Sequence, residues 1–539
     1  MREQNARNAD VRGPAAPKTP NALLPASESS CFRIDAVLLI GDESKSFQWL
    51  LSRLTAPGGS DSPVGRCIGT NGVNVVLARA QAALVAKGWV TSRVLAGEQD
   101  LSTGVLTLTL VPGHIAAIRL TADSTVPLLG AAALLTTAIP AKPGDLLNLR
   151  DIEQGLENLK SVPTAETDIK IEPSTAANAK PGDSDLVVKY VQARKVRWGL
   201  TLDDSGTKAT GVYQAGATVS LDNPLGLNDL FYFNAMHSVD GDGFSDRGRG
   251  TEAQTAHYSV PYGDWLAGFT ASNNRYHQSI AGLTQNYIYS GETSNAEAKL
   301  SRLLYRDQSR KVIASVSGFR QENHNYVDDA EIDVQRRIVG GWTAGLSDKE
   351  FIGDSTLEGN LGYTRGTGAF GAIEAPEDPF GEGTERMKLW TYSFNLNAPF
   401  KLDLGGNSQS FRYTGLIRGQ WNETPLTPQY RFSIGSRYTV RGFDGESMLM
   451  GDHGVLIRND LGWAIQQTGA ELYLGADYGQ VGGQSTAQLI GKHLAGAVVG
   501  VRGNWSKVGY DFFVGTPLSK PAGFQTANLS GGFSLNVSF

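Results

Sequence analysis

Leu529-Ser530-Gly531-Gly532-Phe533-Ser534-Leu535-Asn536-Val537-Ser538-Phe539 closes the chain, and its reading decides the fold. Leu529, Gly531, Phe533, Leu535, Val537 and Phe539 share one parity, with Ser530, Gly532, Ser534, Asn536 and Ser538 on the other. A period of two describes a strand with one apolar and one polar face. A strand of an ordinary sandwich shows the same alternation. A chain that stops on such a strand, at Phe539, is expected to be an outer-membrane barrel, whose last strand closes against its first and leaves no edge.

Composition agrees. The 539 residues carry 64 glycines and only 19% charged side chains, which suits strands and turns better than helix bundles. A formal net charge of −6 leaves no nucleic-acid footprint, so no nucleic-acid partner is expected. The most apolar stretch, Leu128 to Ile139, includes Thr136 and Thr137 and falls short of the about 20 apolar residues a spanning helix needs. Met1 to Pro20 lacks the apolar core of a secretory signal, and the barrel pattern leads us to expect one that has been cleaved. Cys31 and Cys67 are the two cysteines. No third Cys or nearby His makes a metal site, so an oxidising periplasm would leave them as one disulfide, worth roughly 4 kcal/mol by chain entropy.

Three regions separate. Residues 1–30 are polar; Met1 to Asn8 reads as a short helix, and Pro14, Pro17, Pro20 and Pro25 mark an extended linker. Residues 31–193 mix helix and strand in two units, 31–113 and 114–193, each in the order β-α-α-β-β. In the first, Phe32 to Ile40 alternates as a strand, Phe47–Leu54 and Val73–Lys87 read as helices, and Trp89–Leu95 and Gly104–Val111 as strands. In the second, Ile115–Leu120 is a strand, Leu128–Ile139 and Leu149–Leu159 are helices, and Asp168–Glu172 and Leu186–Val191 are strands; Asn148 is a plausible N-cap. From Lys195 helical periodicity ends. Val196, Trp198, Leu200 and Leu202 alternate with polar residues, as do Tyr213 to Leu221 and Trp390 to Ala398. Short turns such as Asp222-Asn223-Pro224 oppose longer polar loops such as Asp240 to Glu252. At about 20–24 residues per strand with its share of turn and loop, residues 194–539 supply about 14–17 strands, so an even count is 14 or 16.

No catalytic constellation stands out, so no enzyme is expected. The seven His are scattered, there is no Gly-x-Ser-x-Gly, and no Gly-rich loop precedes a Lys. No catalytic, cofactor or metal residues are therefore assigned. The informative segment is Arg437-Tyr438-Thr439-Val440-Arg441-Gly442-Phe443, which opens a connection, 436–454, too long for a plain turn. Further on, Leu472, Leu474, Ala476 and Tyr478 form an apolar strand face, leaving Tyr473, Gly475, Asp477 and Gly479 on the other. Asp477 therefore points into the lumen, between glycines that leave room. An Arg on an inward-folded loop would reach it; equally, each charge would stand solvated alone.

With these residues in place the chain resembles an outer-membrane exporter of the two-partner secretion (TpsB) family, within the barrel-assembly superfamily. Val440-Arg441-Gly442-Phe443 is similar to the family's signature on the sixth extracellular loop, which folds into the barrel. Gly475-Ala476-Asp477-Tyr478-Gly479 resembles the strand motif whose Asp pairs with that Arg. Arg150-Asp151-Ile152-Glu153-Gln154-Gly155-Leu156, Gln99-Asp100-Leu101 and Gly104 resemble family positions in the paired units. The resemblance implies a barrel of about 16 strands, two periplasmic POTRA domains and an N-terminal plug helix. It implies a large β-helical secreted exoprotein (TpsA type) as partner, whether adhesin, haemolysin or contact-dependent-inhibition toxin. Outer-membrane lipids would surround the barrel, and periplasmic chaperones and the barrel-assembly machinery would insert it. A barrel-assembly factor would usually carry more POTRA units, and a passive porin has no reason for two α/β units.

Overall fold

The computed structural model describes residues 10–12, 23–55, 61–239, 248–466 and 468–539. The expected helix Met1 to Asn8, with Pro14, Pro17 and Pro20, lies outside them. The chain divides into two compact units. The first takes residues 1–195 with the turns 223–229 and 261–264; the second is the rest.

The first unit holds two three-stranded sheets of one topology. In each, the last strand is central, parallel to the first and antiparallel to the middle one. In one sheet Val105–Val111 lies between Ala36–Ile40 and Arg93–Leu95; in the other Ser184–Gln192 lies between Ile115–Leu120 and Ala165–Pro173. A helix pair covers one face of each. Phe47, Leu50, Val76, Ala80 and Leu84 meet Leu106, Leu108 and Leu110 in the first core. Leu134, Leu135, Ile152 and Leu159 meet Leu186, Val188 and Tyr190 in the second.

Local chemistry moves several expected boundaries. Segment Ser44–Arg53 is 3-10 rather than α-helical, a tighter winding that brings i and i+3 into line and aims Phe47 and Leu50 together. The strand expected at Trp89–Leu95 is only Arg93–Leu95, because Gly88 takes φ +93° and the Trp89 N–H returns to Leu84 O, 3.0 Å, closing the helix. Trp89 then packs edge-on against Phe47. The first strand breaks at Asp35, where the N–H groups of Asp35 and Ala36 both donate to Gly104 O. Phe32–Arg33 pairs separately with Cys67–Ile68, which brings Cys31 beside Cys67 as a disulfide. Gly69 offers helix Thr70–Ala86 no side-chain cap. Glu28 supplies it, accepting from the N–H groups of Gly69, Asn71 and Gly72 at 2.9–3.0 Å. Burial works to raise the Glu28 carboxyl, and those three donors hold it below its ordinary range.

The second unit is a closed antiparallel barrel of sixteen main strands, from Val196–Asp203 to Ser530–Ser538. Closure satisfies every strand edge, the condition for crossing lipid. The last strand meets the first from Ser534 opposite Asp203 to Ser538 opposite Gly199, and Trp198 and Phe539 exchange backbone hydrogen bonds beyond. Strand length varies widely. The first three and the last strands have 8–9 residues, whereas Asn286–Arg306 and Arg310–Val327 have 21 and 18. A span needs about 9–11 residues, so the long pair projects beyond the bilayer at the loop end. The polar loop expected from Asp240 ends earlier, because Arg249 to Glu252 already belong to strand Arg249–Tyr262.

Outside, the barrel is apolar and ringed by tryptophan. Trp198, Trp265, Trp463 and Trp505 are exposed near the short-turn end, and Trp342, Trp390 and Trp421 near the long-loop end. Two aromatic belts around an apolar band mark the two interfaces of a bilayer.

The cysteine bridge is directly testable. Mass spectrometry of purified, unreduced protein should recover Cys31 and Cys67 in one linked peptide pair; two alkylatable thiols would contradict it.

Candidate functional site

The connection between the eleventh and twelfth barrel strands, Asn407–Asn422 and His453–Ile465, runs from Glu423 to Asp452. It starts before Ser436 and ends before Gly454, unlike the span expected from sequence. Phe432–Ile434 and Leu449–Gly451 pair as a small ribbon inside it, each too short to announce itself as a strand. The loop lies within the lumen and brings its own core. Ile434, Val440 and Phe443 pack with Leu456 and Val481 of the wall and with Leu494 and Phe524. Phe443 meets the Phe524 ring edge-on at 5.8 Å.

At its tip Arg441 is almost wholly enclosed, its side chain 5% exposed against 1% for Asp477. Asp477 takes three hydrogen bonds from this one residue. The Arg441 backbone N–H donates to Oδ2 at 2.9 Å, Nε to Oδ2 at 2.7 Å and Nη2 to Oδ1 at 2.7 Å. The carboxylate thus fixes both the guanidinium fork and the loop backbone. Arg441 Nη2 also donates to Asp460 Oδ1 at 2.5 Å, and Asp460 accepts from Arg502 Nη1 at 3.2 Å. Arg502 continues to Glu471, and Glu471 to Arg412, giving a line of alternating charge along the inner wall.

Glycines make this approach possible. A Cβ on Gly479 would lie 2.8 Å from both Ile434 Cγ2 and Val440 Cγ2; one on Gly475 would lie 2.7 Å from the Arg441 guanidinium. A Cβ on Gly496 would be tighter still, 1.9 Å from Arg441 O. Gly442 adopts φ +97°, so the chain turns directly after the arginine.

The structure therefore gathers Arg441, Gly442, Phe443, Gly475, Asp477 and Gly479 at one place. Cys31 and Cys67 lie apart in the first unit, and Phe539 ends the closing strand with its ring below the Lys507 ammonium. Sequence reasoning missed Asp460. Its signal was available: Arg458 and Asp460 occupy the parity of strand His453–Ile465 opposite to Leu461 and Trp463, so they face the lumen beside Asp477 and Gly475. It also missed the partner of Arg437. That guanidinium pairs with Asp204, just past the first strand, and donates to Phe533 O on the last, 3.2 Å, while Asp204 accepts the Phe533 N–H at 2.8 Å. One loop residue thereby holds both strands of the closing seam.

The remaining motifs build architecture. Gln99 bonds the Thr107 backbone through both amide atoms, extending the sheet ladder past Leu95, and Asp100 caps the turn Leu101–Thr103. Asn148 caps helix Leu149–Lys160, Arg150 grips Glu153 at 2.8 Å, and Gly155 lets that helix press on Ile139. Burial, then the charges of Asp264 and Asp145, push the Asp151 carboxyl up to about 6. Among the described residues no group of three or more metal-capable side chains occurs.

The geometry fixes an order of effects. Were the pair solvated in the lumen, its loss would cost about 0–1 kcal/mol. The structure buries it, which raises the cost of stranding a charge to about 3–5 kcal/mol. Arg441→Ala removes the closest partner of both carboxylates, leaving Asp460 to Arg502 at 3.2 Å and Asp477 to Arg458 at 3.9 Å, whereas Asp477→Ala leaves Arg441 with Asp460. Export should therefore fall most in Arg441→Ala, less in Asp477→Ala and least in Asp460→Ala. Arg441→Ala/Asp477→Ala should be little worse than Arg441→Ala. Secretion assays, with insertion checked by heat-modifiability, measure this; defects that multiply in the double variant would contradict it.

Comparison with known proteins agrees with this domain architecture. The family model described as haemolysin secretion/activation protein ShlB/FhaC/HecB matches residues 182–503, and POTRA models match 58–113 (ShlB-type) and 114–173. The outer membrane transporter CdiB-2 of Burkholderia pseudomallei strain 1026b is 35% identical over all of this chain and 92% of its own. The hemolysin transporter protein ShlB of Serratia marcescens is 27% identical, covering 87% of this chain and 78% of its own. The solved structure of CdiB from Acinetobacter baumannii superposes with a TM-score of 0.85 at 29% identity, over 99% of this chain and 95% of that one. With two POTRA domains, a sixteen-stranded barrel and an arginine-tipped loop seated in its lumen, the chain belongs to the ShlB/FhaC/HecB family of outer-membrane two-partner secretion transporters.

Proposed function

We propose that this transporter takes an unfolded exoprotein from the periplasm onto a POTRA sheet edge and passes it through the barrel without ATP, the seated loop acting as a lock that must yield. The observation carrying this reading is the pairing of two features. Edge strands Ala36–Ile40, Arg93–Leu95, Ile115–Leu120 and Ala165–Pro173 each have one neighbour in their sheet, so their outer backbone groups suit an added strand. Meanwhile the lumen is occupied by a loop held through few, identifiable contacts. Backbone pairing grips a client without strict sequence demands, which suits a long repetitive chain. Folding of the client outside removes it from the transport equilibrium and biases movement outward. The client is a large TpsA-type exoprotein: an adhesin, haemolysin or contact-dependent-inhibition toxin. Chaperones and the assembly machinery serve the transporter's own insertion.

Deleting residues 31–113 should abolish secretion of the cognate exoprotein while leaving an inserted, heat-modifiable barrel. Normal secretion by that deletion would remove the recruitment role.

A further inference from the structure

On the outer wall two neighbouring cations have no ion-pair partner among the described residues. Arg365 stands directly opposite Lys388 across neighbouring strands, with Trp342 on the other side of Arg365. Both share the outward parity of Leu361, Trp390 and Phe394, all exposed. Like charges directly opposite destabilise a ladder by about 0.2–1 kcal/mol. Two other cross-strand pairs on this wall are of opposite sign: Arg275 faces Glu292 across its ladder at 2.9 Å, and Arg310 faces Glu350 at 3.6 Å.

Two acids close by in the chain and ladder have other partners. Glu423 accepts from the Trp390 indole N–H at 2.8 Å, and Glu385 accepts from the Ala375 N–H and from Arg386 Nε. Among the described residues neither Arg365 nor Lys388 has an ion-pair partner.

Depth is set by the aromatic belt. Tyr363 lies between Trp342 at 5.8 Å and Trp390 at 4.7 Å between ring centroids, at the long-loop end. Such rings sit where hydrocarbon meets headgroups. Arg365 and Lys388 follow Tyr363 and precede Trp390 by two residues, about 7 Å along strands tilted by about 35–45° and so about 5 Å further from the bilayer centre, toward the level of lipid phosphates. Arg386, with its side chain 71% exposed, stands two residues beyond Lys388.

We propose that Arg365 and Lys388 form a binding site for the phosphate of an anionic lipid headgroup in the outer-facing leaflet, with Trp342, Tyr363 and Trp390 packing against its acyl chains. The arginine fork takes two phosphate oxygens and the ammonium a third.

Native mass spectrometry of the full-length protein, delipidated in neutral detergent, tests this with three probes: diphosphorylated lipid A, the same lipid stripped of phosphate, and phosphatidylcholine. The intact protein should retain one lipid A and release the other two. Arg365→Gln/Lys388→Gln should retain lipid A at least about tenfold less well, and Arg365→Lys/Lys388→Arg, which keeps both charges, should retain it. Equal retention of the phosphorylated and stripped lipids by the unsubstituted protein overturns the site, as does equal retention of lipid A by the double Gln variant. If the Gln variant does not insert, the comparison of lipids on the unsubstituted protein decides alone.

Discussion

A single arginine inside a barrel organises the lumen. Arg441 brings one positive charge into a space nearly closed to solvent, and the wall answers with Asp477 and Asp460. A guanidinium in such a place is tolerable only when its donors are met, and here the Arg441 backbone N–H is met as well. The consequence is positional. Because one carboxylate holds both side chain and backbone, the loop has one seat, and the glycines beneath it exist to let the backbone come that close. The apolar residues around the tip give the loop a small core of its own. Loop and wall are thus two separately stabilised pieces joined by few polar contacts, an arrangement able to hold shut and still open.

The barrel obeys a different constraint. Every backbone donor and acceptor within lipid must be satisfied by a neighbour, so the sheet must close. The seam between first and last strands is among its shorter pairings, and the same loop that carries Arg441 also sends Arg437 to Asp204 and Phe533 there. Loop seating and seam geometry are therefore coupled through one stretch of fifteen residues or so, from Phe432 to Glu446, where Glu446 also accepts from the Lys208 N–H.

What could be read from sequence follows the strength of each local signal. Strands half in lipid alternate strictly, so the barrel and the inward parity of Asp477 were legible from Leu529 to Phe539 and from Leu472 to Gly479, while chain length alone left the strand number at 14 or 16. Arg441 was legible because Arg-Gly-Phe in a long loop is unusual and resembles a family signature. Asp460 was not, because an isolated charge on a lumen-facing parity looks like any wetted wall residue until the loop is seen above it. The loop's true start at Glu423 was hidden because Phe432–Ile434 and Leu449–Gly451 are three residues each, too short for a period to show. Trp89 read as the start of a strand because its hydrophobicity speaks louder than the turn that Gly88 imposes. Glu28 was passed over because a cap supplied from forty residues away leaves no trace in spacing.

The account rests on the loop being held through Arg441 while the barrel stands independently. Spin labels at Tyr438, exposed on the loop, and at Thr468, in a short turn of the wall, read that directly by pulsed dipolar spectroscopy. The native cysteines are bridged and would not compete for label. The unsubstituted protein should give one narrow distance, and Arg441→Ala a broad, displaced distribution in a barrel of unchanged heat-modifiability. The same narrow distance in Arg441→Ala would contradict the claim that this arginine seats the loop.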